Sequence, residues 1–225
     1  MMIHGDTLPI MNVGEKHIQL MLLLDISKSM AGAAMNELNE GLYQLKNAFD
    51  HCGQLQGRID ISIITFSNEA NVVVGFRPAC YYEPITLTAE GFTCTNQAIL
   101  LGMEKLEERR NTCRQAGVEC YKSILFLLSD GTPNDLDFEE EAIHRLQEAI
   151  TKNKLVYVPF GIGKDVDVEQ LMKYYPEQTE NKKVYKACED ELQEVFTRLS
   201  NSVSNVLLND DDQYHLNNTT NRIII

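Results

Sequence analysis

The chain has 225 residues, 20 of them basic and 33 acidic, for a formal net charge of −13. That length suits one large domain with short tails. Its 44% hydrophobic and 24% charged residues, with 13 Gly and 6 Pro, exclude wholesale disorder and collagen-like or low-complexity chains.

The acidity argues against nucleic acid or an anionic membrane surface as a partner. Both need clustered Lys and Arg, and the sequence offers only pairs such as Arg109-Arg110 and Lys182-Lys183. No apolar run approaches the ~20 residues that span a bilayer. Residues 1–16 have no basic start and no apolar core, so they read as an N-terminal extension and not a signal peptide. The six cysteines form no CxxC pair and no zinc-type spacing with His. Reduced thiols and a cytoplasmic location are the expectation.

In chain order, His17 to Leu24 (HIQLMLLL) is a nearly unbroken apolar run, as expected of a strand covered on both faces. It ends in Asp25-Ile26-Ser27-Lys28-Ser29, with Ser29 where a helix N-cap would fall. Met35, Leu38, Leu42, Leu45 and Phe49 then step by three and four, which predicts a helix closing near Gly53. Residues 58–67 (RIDISIITFS) predict a strand, and Val72-Val73-Val74 an antiparallel hairpin partner. Residues 76–92 read as a loop, and 93–108 as a helix.

Residues 123–128 (SILFLL) predict another buried strand, ended by Ser129-Asp130-Gly131-Thr132-Pro133. A helix follows around Phe138 to Ile150, opened by acidic residues that complement its macrodipole. Residues 155–162 (LVYVPFGI) predict a strand made irregular by Pro159. A short helix near Val168, a strand at 184–187 and an amphipathic helix from Leu192 to Val206 complete the pattern. The expected fold is a three-layer, doubly wound, mostly parallel α/β sheet with helices on both faces, Rossmann-like. The domain spans 17–207, and 208–225 is expected to be a flexible tail.

In such sheets ligands sit beyond the carboxyl ends of the strands. There the chain carries Asp25-x-Ser27-x-Ser29 after one strand and Asp130 after another, with Gly91-Phe92-Thr93-Cys94-Thr95 ahead of a helix between them. Carboxylates and hydroxyls are hard oxygen ligands, suited to Mg²⁺ with some positions left open, and Mn²⁺ or Ca²⁺ are alternatives. Soft donors for copper or a closed zinc site are lacking apart from Cys94.

The segments LLLDISKSM, GFTCTNQAI and FLLSDGTPND, in this order, resemble the three metal-site segments of the von Willebrand factor A domain. That family's metal-ion-dependent adhesion site uses a DxSxS loop, a threonine and an (S/T)DG aspartate. The resemblance implies Asp25, Ser27, Ser29, Thr93 and Asp130 as metal ligands. It also implies a non-enzymatic module that captures an Asp or Glu carboxylate of a protein partner. More narrowly, the run MLLLDISKSMAGAAMNELNEGL and the closing helix ELQEVFTRLS are similar to the bacterial TerY-like, tellurium-resistance branch. This likeness implies a signalling or stress-response adaptor with kinase and phosphatase companions. Lys28 and Phe92 stand where the family often has Gly. The competing readings are a Mg²⁺-dependent phosphoester-processing enzyme and a scaffold whose metal site is empty. Against the enzyme, Ser27 holds the place where such enzymes carry a second Asp, and no phosphate loop or nucleophile elbow is present.

Overall fold

A computed structural model describes residues 5–130, 132–163, 166–180, 182–210 and 223–224. Strands β1 (Ile18–Asp25), β2 (Ile59–Phe66), β3 (Ala70–Pro78), β4 (Ser123–Ser129), β5 (Leu155–Ile162), β6 (Val184–Ala187) and β7 (Ile223–Ile224) form one sheet. Its order is β3-β2-β1-β4-β5-β6-β7. β2, β1, β4, β5 and β6 run parallel, while β3 and β7 are antiparallel to their neighbours. Helices α1 (Ala33–Asp50), α2 (Thr95–Gln115), α3 (Glu139–Thr151), α4 (Val168–Met172) and α5 (Leu192–Asn209) cover it. The expected doubly wound α/β architecture is the one found.

The two-residue alternation of β1 divides the core. Ile18, Leu20, Leu22 and Leu24 pack with α1 and α5 on one face, and Met21 and Leu23 with α2, α3 and α4 on the other. Every residue of β1 is buried, which is why its sequence reads as a continuous apolar run rather than an alternating one. On the first face α1 lies against α5, and a Cβ placed on Gly41 would meet Phe196 Cδ2 at 2.4 Å. Phe196 is fully buried and has nowhere to swing. Gly41→Ala is therefore expected to lower the unfolding free energy by about 1–3 kcal/mol despite alanine's better helix propensity. Urea melts showing a more stable variant would refute that packing.

Several boundaries differ from the sequence expectation, each for a local reason. β3 runs on to Pro78 because the N-terminal segment lies along it: Leu8 N donates to Phe76 O at 2.7 Å, and Arg77 Nη2 to Asp6 O at 2.9 Å. α1 starts later than expected, with Gly32 at its N-cap at φ 92°, so Ser29 does not cap it. α2 begins at Thr95 and continues to Gln115. No bulge interrupts β5 at Pro159: β4 and β5 stay in register throughout. β6 pairs only with Phe160–Ile162, so one flank of β5 at Pro159 lies beyond that ladder. In the expected tail, 211–222 and Ile225 lie outside the described residues, and Ile223 and Ile224 pair with Tyr185 and Val184 of β6. Among the described residues no helix is long and apolar enough to cross a membrane.

Candidate metal centre

The sheet order places the ligand crevice. From β1 the chain crosses through α1 to β2 on one side, whereas β4 flanks β1 on the other. The connections therefore diverge between β1 and β4, which is where an open parallel sheet leaves a cleft at its carboxyl edge. Asp25 is the last residue of β1, and Asp130 directly follows β4.

Four of the five expected ligands are joined there by hydrogen bonds. Asp25 is fully buried; its Oδ1 accepts from Ser27 N at 2.8 Å and its Oδ2 from Ser129 Oγ at 2.6 Å. Ser29 Oγ donates to Asp130 Oδ1 at 2.9 Å. Ser27 and Ser29 hydroxyls lie 3.0 Å apart, and because Ser29 has spent its proton on Asp130, Ser27 is the donor between them. Hydroxyl protons thus run from Ser27 through Ser29 to Asp130, the last of these bonds joining residues 101 positions apart.

Thr93 arrives by a different route. Lys28 N donates to Gly91 O at 3.1 Å and Glu90 N to Ile26 O at 2.7 Å, so the 90–93 loop is stitched to the loop after β1. Thr93 N donates to Asn134 Oδ1 at 3.1 Å, and Asn134 N returns a bond to Thr93 O at 2.8 Å. Thr93 is buried within this seam. Its placement rests on bonds of its own backbone, while the other four expected ligands are linked through side chains. Gly91 has φ 72°, and a Cβ there would meet the Asn68 side chain at 2.7 Å, so the close approach demands glycine. Phe92 and Lys28 sit outside the left-handed region and need no glycine, so those two departures leave the loop intact.

Supporting residues were less visible in the sequence. Asp135 precedes the 3-10 turn Leu136–Phe138 that leads into α3, but its side chain serves α2: the carboxylate accepts from Asn96 N at 3.3 Å and Gln97 N at 2.7 Å. Glu139, Glu140 and Glu141 occupy the first turn of α3, as the macrodipole favours. Asn96, fully buried, donates to Asp135 and accepts from Tyr174 OH at 2.7 Å. The pattern SDGTPND carried the signal, since four of its seven residues (Ser129, Asp130, Asn134 and Asp135) hold the site together.

Burial raises the Asp25 pKa from 3.8 to about 6, against the lowering effect of hydrogen bonds from Ser129 and Ser27, and the nearby charge of Asp130 adds to the rise. A cation at this point would favour the ionised carboxylates and take over the role of the bridging protons. The donor set, two carboxylates with neutral hydroxyls, fits a hard divalent ion. Among the described residues no group of three or more His, Cys, Asp or Glu side chains is placed to hold a metal ion, so a site here depends on the hydroxyl donors as well as the two carboxylates. Cys94, beside Thr93, is 4% exposed, and burial pushes its thiol up to about 11. It is a protonated packing residue rather than a reactive thiolate.

A family model for the von Willebrand factor type A domain matches residues 19–198. Solved structures share the fold at low identity. The pilus adhesin SpaC of Lactobacillus rhamnosus GG aligns with TM-score 0.65 and 14% identity over 85% of this chain and 31% of its own. Proximal thread matrix protein 1 of the mussel byssus aligns with TM-score 0.56 and 17% identity over 84% of this chain and 46% of its own. The chain therefore spans less than half the length of those two proteins. The vWF domain of the type V pili tip protein Mfa5 from Porphyromonas gingivalis aligns with TM-score 0.56 and 11% identity over 86% and 97%. No curated protein matches the chain.

Proposed function

Because the chain belongs to the von Willebrand factor type A domain family, we propose that it is a metal-dependent protein-interaction module binding a partner's carboxylate through Mg²⁺. The observation that carries the reading is the hydrogen-bonded series Asp25, Ser27, Ser29 and Asp130, with the loop that carries Thr93 bonded to the loop after β1. Asp25, Ser27, Ser29, Thr93 and Asp130 would hold the ion. A bound divalent cation supplies an electrophilic position for one further oxygen ligand, because two carboxylates offset its charge and hydroxyls add none.

The chain's own residues prepare that position. Ser129 and Ser27 N orient the Asp25 carboxylate, and Ser29 orients Asp130. Asn134, Asp135 and Asn68 fix the loop that brings Thr93. Phe92, 72% exposed next to Thr93, forms part of the surrounding surface that a partner would touch. An enzymatic role is less well supported. The hydroxyl of Ser27 is engaged with Ser29 where a phosphotransfer enzyme would place a second carboxylate. In this reading the protein acts as a bacterial adaptor of the TerY-like kind, gathering signalling partners such as kinases and phosphatases in a stress response.

Capture of partners on the immobilised full chain tests this. Proteins retained in Mg²⁺ are expected to be released by EDTA, with the far-UV circular dichroism unchanged. The same proteins held equally in EDTA and in Mg²⁺ would overturn the proposal. Titration calorimetry with Mg²⁺ and Mn²⁺, against an Asp25→Ala variant, distinguishes a scaffold with an empty site.

A further inference from the structure

At the opposite end of the sheet, where β4 and β5 begin, α2 and α3 flank a cleft of about 430 Å³. Arg110 and Arg114, about one turn apart on α2, line it with Arg145 and Lys152 near α3 and Lys154 just before β5. Glu107 and Glu148 are the acids in the lining. Five cations against two carboxylates leave a local excess of three positive charges in a chain whose net charge is −13.

The balance favours an incoming anion further. Lys152 already holds Glu148, and Arg145 reaches toward Glu141 at 3.9 Å. Among the described residues Arg110, Arg114 and Lys154 have no carboxylate within ion-pair distance. Arg110 Nη1 donates to Ser123 Oγ at 3.1 Å and to the Lys154 carbonyl at 3.0 Å, which fixes its guanidinium at the mouth of the cleft. Arg114 Nη1 reaches only the Asn111 side-chain oxygen, at 2.9 Å. Like charges gathered this closely repel one another and raise the local concentration of anions. Guanidinium forks match phosphate oxygens in pairs.

The floor has a different character. The apolar part of the cleft's lining is made by half-buried Met103 and Ala149, with Leu106 and Leu155, 3% and 5% exposed, contributing the remainder. A ligand that fills the cleft therefore carries its charge at one end and an apolar or planar body at the other. The volume is within the range of small-molecule pockets, roughly 300–1,000 Å³, and the acidity of the rest of the surface disfavours a long polyanion. From this we infer that the cleft binds a phosphorylated small molecule about the size of a nucleoside diphosphate. Its phosphates sit on Arg110, Arg114 and Lys154, and its body lies over the apolar lining of Met103, Ala149, Leu106 and Leu155. The site is separate from the metal centre and stands whether or not that centre binds a cation.

Calorimetric titration of the full chain in EDTA and low salt, with ADP and with inorganic pyrophosphate, decides the matter. ADP is expected to bind, about tenfold or more tightly than pyrophosphate because only ADP covers the floor, and to weaken as salt rises. Arg114→Glu and Lys154→Glu, both at exposed positions, are each expected to weaken ADP about tenfold or more while melting like the wild type. Lys105→Glu, on the same helix but outside the cleft and paired with Glu108, should leave binding unchanged. No heat with ADP, or ADP binding that survives both charge reversals, would overturn the site. Equal affinity for ADP and pyrophosphate would overturn the role of the apolar floor.

Discussion

In the metal-free protein, Asp25→Asn is expected to raise the unfolding free energy at neutral pH by about 3 kcal/mol while abolishing Mg²⁺ binding. Asp25 is fully buried, and burial pushes its carboxyl from the ordinary 3.8 up to about 6. The native state therefore holds the proton more tightly than the unfolded chain does. Below about pH 4 both states are protonated and the fold suffers no penalty. As pH rises from about 4 to about 6 the unfolded chain ionises first, and native stability falls by the full amount. Above that range the deficit stays constant.

An amide avoids the ionisation and keeps the shape: its oxygen can accept from Ser27 N, and the Ser129 hydroxyl can turn to accept from the new NH₂. Urea melts in EDTA should thus show wild type and variant nearly equal at pH 4 and well separated at pH 7. Mg²⁺ should then stabilise the wild type, by about 2.7 kcal/mol at a hundredfold excess over Kd, and leave the variant unmoved. Coincident curves from pH 4 to 7 in EDTA would contradict the burial cost. Equal protection of both proteins by Mg²⁺ would contradict the assignment of Asp25 as a ligand.

The second large effect concerns stability alone. Asp60 on β2 and Arg109 on α2 are 0% and 2% exposed, and the guanidinium meets the carboxylate twice, at 2.8 and 3.1 Å. Arg109 Nη1 also donates to Leu8 O at 2.7 Å, which fastens the N-terminal segment, and His17 Nδ1 lies 3.4 Å from Asp60. Asp60→Ala removes the acid and leaves a buried cation, so a loss of about 3–5 kcal/mol is expected. Pairing it with Arg109→Met should recover much of that loss, because desolvating a cation is the dominant cost. Exposed helix pairs such as Lys105–Glu108 are worth a few tenths of a kcal/mol by contrast. A single-variant loss below about 1 kcal/mol would show that water reaches the pair.

The pair also marks where sequence reading stops. Asp60 sits in an otherwise strand-like run and Arg109 in an ordinary helical charge pattern, so neither side chain announces that it is buried. The DxSxS loop was legible because i, i+2 and i+4 oxygens after an apolar strand have few other uses. The bonds of the Asp135 side chain to α2 were not legible, because a short acidic stretch before a helix has a sufficient local explanation. That side chain's partners, Asn96 and Gln97, lie 38 or 39 positions away.

Local chemistry specified what is periodic or compact: the apolar runs of β1 and β4, the amphipathic α1 and α5, and the oxygen-bearing turns that follow the strands. Those features depend on neighbours within a few residues, so they survive in one dimension. The fold alone decided which distant groups meet. It joined Ser29 to Asp130, placed Thr93 against Asn134, sank Arg109 onto Asp60, and gathered Arg110, Arg114 and Lys154 from pairs and singles into one basic cleft. Charge and hydrogen bonding act through space over a few ångströms, and only the order and register of the strands bring those residues within that reach.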